Sequence, residues 1–331
     1  MVGRWDSLVG RWGLPLILAT LLGALLLSVA GCTGRLQPKP KFLMEFAPTG
    51  TFHFDSPEGI TLGPGGKVLI ADTWHDRIIS ASLDMNTGGL TPNSSWGSSG
   101  SKPGELSAPS DVAMGPGGEI YVTDTWNHRV QKFSSDGRLL TQWGKKADIW
   151  NLKKDELLFP RGIAVAPNGD VYVADTATHR VIKYTPQGKV IFVLGDGQAM
   201  QQVGKFDTPL DVAVDGEGNL YVSDSGNNRI ERFDANGNVT GYWGTAGDRP
   251  GQFRRPSGLA VDDHGHVYVV ESGNHRVQIF QPSGKLISMF GDRGAGPAEF
   301  ESPESIAIGP GNTLYIVDWG NNRLQAFSSD L

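Results

Sequence analysis

One block of sequence, written six times, decides what this chain can become. Its clearest copy is residues 209–233, PLDVAVDGEGNLYVSDSGNNRIERF. Anchor prolines recur at Pro57, Pro109, Pro160, Pro209, Pro256 and Pro303, spaced 52, 51, 49, 47 and 47 residues apart. An arginine follows each proline by 20 residues: Arg77, Arg129, Arg180, Arg229, Arg276 and Arg323. Five residues before each arginine stands an acid: Asp72, Asp124, Asp175, Asp224, Glu271 and Asp318. Length varies only outside this block. A fixed period of this size belongs to architectures in which one supersecondary unit stacks on copies of itself.

Within the unit, large and small residues alternate after the proline, with Ala113, Ala164, Ala213, Ala260 and Ala307 at one position. That pattern predicts a strand, and small residues suit the innermost strand of a tapering ring. Turns such as GPGG at 63–66 and 115–118 lead to a second strand typified by VYVAD at 171–175. A polar turn, a third strand (RVQKF, 129–133) and an Asx-Gly or Gln-Gly turn lead to a fourth strand. The fourth strand ends at Trp96, Trp143, Leu194, Trp243 or Phe290. Four strands per unit, apolar on both faces, predict a propeller blade packed between neighbours. The last unit stops after its third strand, whereas KFLMEF at 41–46 matches KLISMF at 285–290, a fourth strand. The expected fold is therefore an all-β, six-bladed propeller over residues 41–331, with the N-terminal strand completing blade six and closing the ring.

The pattern at 224–230, DSGNNRI, resembles the NHL repeat, and the likeness runs over residues 41–331. It marks the chain as similar to NHL propellers, which include peptidyl-amidoglycolate lyases, sensor domains of bacterial kinases and RNA-binding domains of ubiquitin ligases. The family's fold does not fix its function.

Residues 1–31 read as a bacterial lipoprotein signal. Arg4 and Arg11 precede an uncharged apolar run, 14–30, that ends in Val-Ala-Gly before Cys32, resembling a lipobox. Cys32 is the expected lipid anchor, and residues 32–40 a linker that holds the propeller off the bilayer. It is also the one cysteine, so an internal disulfide is excluded and packing must supply stability. The expected location is the cell envelope, on the outer membrane where a cell has two, since Thr33 is not an aspartate. The formal charge of −6 argues against nucleic-acid binding, which needs a basic face. RNA binding or a ubiquitin-ligase role is the least favoured reading.

The twelve acids and arginines recur in every unit, and so are read as structural. The same holds for His128, His179 and His275, which share one repeat position but fall in different blades. In the amidating lyases, zinc histidines come from the position after the anchor proline. Here that position holds Glu58, Ser110, Arg161, Leu210, Ser257 and Glu304, with no histidine. Glu58, Asp111, Asp211 and Glu304 place carboxylates near the axis, where calcium is conceivable for a lactonase- or lyase-type enzyme. Otherwise no cofactor is expected. Departures from the repeat carry more information: Trp74, Trp126 and Trp319 stand in turns where other blades have small residues, and Trp150 lies in the long loop 144–159. The favoured reading is a monomeric binding module whose tryptophans meet a protein, peptide or sugar.

Overall fold

The computed structural model describes residues 36–329. Those residues form six four-stranded antiparallel sheets and one short parallel pair, Asp292–Arg293 with Glu299–Phe300. In each of blades one to five the four strands follow chain order. Blade two, for example, runs Pro109–Met114, Ile120–Asp124, Arg129–Phe133 and Leu139–Trp143. Blade six takes Ser305–Gly309, Thr313–Asp318 and Arg323–Ser328 from the C-terminal end, and its fourth strand, Lys41–Phe46, from the N-terminal end. Phe42 faces Phe327 and Phe46 faces Leu324 in that closing pair, which has a bulge at Leu43. The ring is thus closed as the matching of 41–46 to 285–290 requires.

The core is divided among the blade interfaces. Six apolar clusters form, each mixing residues of two neighbouring blades, as Val68, Ile70 and Ile79 of blade one meet Tyr315, Val317 and Leu324 of blade six. Tyr121, Tyr172, Tyr221, Tyr268 and Tyr315 of the second strands are fully buried. Trp96, Trp143 and Trp243 close the outer ends of these interfaces, against Phe133, Tyr184 and Phe280 of the next blade.

Two polar devices repeat around the ring. In the first, the acid ending each second strand is buried and receives a backbone N–H from 17 residues earlier, as Asp124 does from Ser107 (2.7 Å) and Asp318 from Glu301 (2.7 Å). Its other oxygen takes the arginine, at 2.6 Å for Arg129 on Asp124 and 2.8 Å for Arg323 on Asp318. The guanidinium then donates to carbonyls of the loop entering its own blade: Arg129 reaches Ser101, Lys102 and Glu105. The second device crosses between blades. The residue before each arginine is left-handed (Asp76, His128, His179, Asn228, His275, Asn322; φ 51–55°), a conformation that Asn, Asp and His tolerate best. Its side chain accepts the N–H of the residue preceding the next blade's proline: Ala108, Phe159, Thr208, Arg255, Ser302 and, across the closure, Ser56.

Blade four breaks the first device. In blades two, five and six a glutamine two residues past the arginine accepts a loop N–H and donates to both a loop carbonyl and the acid. Gln131 accepts from Gly104 and donates to Glu105 O and Asp124 Oδ2; Gln278 and Gln325 do likewise. Glu231 stands there in blade four and accepts from Gly204 at 2.7 Å, but an ionised carboxylate has no proton for the other two acceptors. Its Oε1 lies 2.5 Å from Arg229 Nη2 without an aligned hydrogen bond, and Arg229 Nε is also left without one. Burial pushes the Glu231 carboxyl up to about 7. A raised carboxyl means the folded chain holds a proton that the unfolded chain has released. Its contribution is therefore present at low pH and lost between about 4.5 and about 7. Glu231→Gln should stabilise the protein by roughly 1–3 kcal/mol at pH 8, with little change at pH 4.5. Thermal melts of the two proteins across that range check this, and an unchanged pH 8 midpoint would refute it.

Candidate functional site

The turns between second and third strands, and the loops entering each first strand, lie on one face of the ring. On that face a groove of about 490 Å³ runs from the channel mouth outward over blades one to three. Its outer wall is Trp74 and Trp126, with ring centroids 5.5 Å apart and planes at 84°. Each is about half exposed, at 51% and 55%. They are held from beneath. Trp74 and Trp126 donate their backbone N–H to Asp55 O and Ser107 O, and the adjacent Thr73 and Thr125 hydroxyls donate to Pro109 O and Pro160 O of the next blade. The turn main chain cannot shift without disturbing a blade interface. Phe159, 41% exposed, lines the same groove.

The inner end of the groove is polar. Glu58 of blade one and Arg161 of blade three meet at 2.8 Å above Ser110 of blade two. This is the sole hydrogen bond the described structure gives the Arg161 side chain. Burial works against the Arg161 charge, but Glu58, Glu304, Asp211 and Asp111 outweigh it and the guanidinium is held more firmly charged. Glu304 pairs with Arg255 at 3.3 Å, and burial raises its carboxyl.

Asp111 and Asp211 sit deeper and serve the scaffold. Asp111 accepts the N–H of its own Val112 (2.8 Å) and of Ile163 in the next blade (2.9 Å); Asp211 accepts those of Val212 (2.7 Å) and Leu259 (2.8 Å). A Cβ on Gly59 would fall 2.3 Å from Asp111 Oδ1, and one on Gly162 would fall 2.3 Å from Asp211 Oδ1. Two residues past each proline the chain thus alternates Gly, Asp, Gly, Asp, Gly, Ser, each aspartate stepping into space that the preceding blade's glycine leaves. Burial pushes the Asp211 carboxyl up to about 7, and burial with the nearby Asp211 charge raises Asp111. Both aspartates are thus bonded to main-chain amides, and Glu58 to Arg161. Among the described residues no three such side chains come together as a metal group.

The other sequence candidates lie outside the groove, except His179, which lines it. Trp319 is half-buried in the turn of blade six and does not line the groove. Trp150 is 91% exposed, outside the groove, at the tip of a turn that Asp148 caps. His128, His179 and His275 each accept an inter-blade N–H through Nδ1. Cys32 and the signal segment lie outside the described residues. Sequence reasoning missed Phe159, whose signal was an aromatic at a position otherwise Ser, Ala, Thr or Arg, and missed the Gly–Asp alternation.

Five segments match the NHL repeat: residues 106–133, 157–184, 206–233, 253–280 and 300–327, one in each of blades two to six. Among curated relatives, the chain is 35% identical over 103 residues to the brain tumor protein of Drosophila melanogaster, covering 30% of this chain and 10% of that protein. It is 33% identical over 131 residues to mouse peptidyl-glycine alpha-amidating monooxygenase, covering 39% and 13%. The chain thus spans about a tenth to a seventh of the length of these relatives. Solved structures share the fold: virginiamycin B lyase of Staphylococcus aureus (20% identity, TM-score 0.60, 88% of this chain and 86% of that one), a gluconolactonase of Xanthomonas campestris (15%, 0.60, 88% and 96%) and an auxiliary nutrient binding protein of Bacteroides thetaiotaomicron (14%, 0.61, 87% and 76%). Fold neighbours therefore include both enzymes and a binding protein.

If the histidines only accept an amide proton, asparagine can replace them. His128→Asn, His179→Asn and His275→Asn should each cost less than about 1 kcal/mol, whereas the alanine variants leave the next blade's N–H unpaired and should cost about 1–3 kcal/mol. Denaturant unfolding separates the two sets; equal losses would refute the assignment.

Proposed function

The chain is a six-bladed propeller with NHL repeats in five of its blades, and from that premise we propose that it is a ligand-capturing module of a bacterial cell envelope. In this reading a lipid on Cys32 anchors it, residues 32–40 tether it, and the propeller acts as a monomer, on the outer membrane where there are two. The anchor is supported by the apolar run before Val-Ala-Gly-Cys and by the solitary cysteine. The observation that carries the binding role is the groove: two half-exposed indoles on main chain fixed to neighbouring blades, leading to an ion pair at the channel mouth. Exposed aromatics held rigidly lose little conformational freedom on binding, so they make effective contact surfaces. Fold neighbours named as a lyase and a gluconolactonase sustain a second reading, a metal-dependent enzyme, but the carboxylates at the axis are committed to amides and to Arg161.

Replacing both Trp74 and Trp126 with alanine should abolish crosslinked capture of ligand in intact cells while the melting midpoint holds within a few degrees. Trp319→Ala, outside the groove, should leave capture unchanged. Capture insensitive to the double variant would sink the groove as the site. Separately, Cys32→Ser should move the protein from the membrane fraction to the soluble one, and stoichiometric metal on the purified protein would favour the enzyme reading.

A further inference from the structure

The groove presents two unlike surfaces, and few ligands satisfy both. Its outer part is aromatic: with the indole planes of Trp74 and Trp126 at 84°, one ring offers a face where the other offers an edge. Its inner part is a side-by-side acceptor and donor. Glu58 uses Oε2 on Arg161, leaving Oε1 with no hydrogen-bond partner among the described residues. Arg161 uses one N–H, leaving Nε and Nη1 in the same condition, and neither is sealed from solvent. The Glu58–Arg161 pair joins blade one to blade three across the mouth.

Charge narrows the choice. Around the mouth stand Glu58, Glu304, Asp111 and Asp211 against Arg161 and Arg255. An anionic ligand would add to the carboxylates. A cationic one that met the free Glu58 oxygen would crowd its charge against the Arg161 guanidinium, which already holds the other oxygen at 2.8 Å. A neutral ligand leaves that pair intact. The free Glu58 oxygen then calls for a hydroxyl donor and the free Arg161 N–H groups for hydroxyl acceptors, beside one another. Hydroxyls play both roles, and a ring that carries adjacent hydroxyls can offer one as donor and its neighbour as acceptor. The aromatic wall calls for a flat C–H face.

We propose that the groove over blades one to three binds a neutral saccharide, its C–H face against Trp74 and Trp126 and its hydroxyls on Glu58 and Arg161. The volume, about 490 Å³, lies within the ~300–1,000 Å³ of small-molecule sites. Glu58 and Arg161 act as a fixed pair of hydrogen-bonding groups, and the inference rests on the groove being the binding site.

The test titrates the full-length protein, held in a detergent without a sugar headgroup, and reads intrinsic tryptophan fluorescence and calorimetric heat. Probes are a panel of neutral mono- and disaccharides including maltose, cellobiose and N-acetylglucosamine. Matched arms use gluconate, glucosamine and the dipeptide Phe-Gly. Saturable binding of a neutral saccharide is expected, weakened at least tenfold by Trp74→Ala, Trp126→Ala, Glu58→Gln and Arg161→Met, and unchanged by Trp319→Ala. Each variant's melting midpoint is measured, and a variant that fails to fold is replaced by its milder partner, Trp→Phe or Arg→Lys. Trp74-dependent binding confined to the charged or zwitterionic probes would overturn the saccharide assignment and keep the groove. Probe binding indifferent to both Trp74 and Trp126 would overturn the groove as well.

Discussion

A buried carboxylate at the end of each second strand holds this molecule in shape. Taking such a charge out of water is expensive, and the structure offsets the cost with an amide donor from the incoming loop and a guanidinium from the third strand. The same arginine gathers the loop's carbonyls, so a long irregular connection becomes part of the blade. Because each pair lies within one blade, the joints between blades fall to apolar clusters and to isolated hydrogen bonds: the side-chain acceptor of each turn, the Thr73 and Thr125 hydroxyls, and Asp111 and Asp211. Rigid units joined by soft apolar faces explain how the repeat length can drift while the ring still closes.

That division of labour also says which positions are free to specialise. The turn between second and third strands has its ends fixed by the acid and by the left-handed residue, so the side chain in its middle is spare. In blades one and two that spare position carries Trp74 and Trp126, and the groove is the result. The channel mouth follows the same logic: the residues after the prolines line the axis, and there Glu58 and Arg161 meet across the ring. The aromatic wall and the ion pair sit where the scaffold makes no demand.

Much of this was legible in the chain itself. The spacing of prolines, acids and arginines counted the blades, and the likeness of 41–46 to 285–290 located the closing strand, because register in a repeat protein follows directly from alignment to itself. The tryptophan turns were visible as departures. What could not be read was direction. Trp319 shares its repeat position with Trp74 and Trp126, yet lies half-buried in blade six and does not line the groove over blades one to three. The amide bonds of Asp111 and Asp211 were equally hidden, since each aspartate takes space that Gly59 or Gly162 leaves one blade away. Glu231 passed unnoticed for a similar reason. Glutamate for glutamine is a slight change on paper and a large one where the partners are two acceptors.

The closing strand has a mechanical consequence. Lys41, where the chain enters blade six, pairs with Ser328, at the opposite end of the strand from Phe46 and the groove face; just before it, Gln37 and Pro38 are stitched to Ile287 and Ser288 on the rim of blade five. A pull from upstream directed along the strand, away from Phe46, would break the rim stitches first and then load the last sheet lengthwise, in shear, where its hydrogen bonds resist together instead of parting one by one. The part of the molecule that would bear such tension is also the latch that keeps the wheel shut, while the aromatic cleft looks the other way.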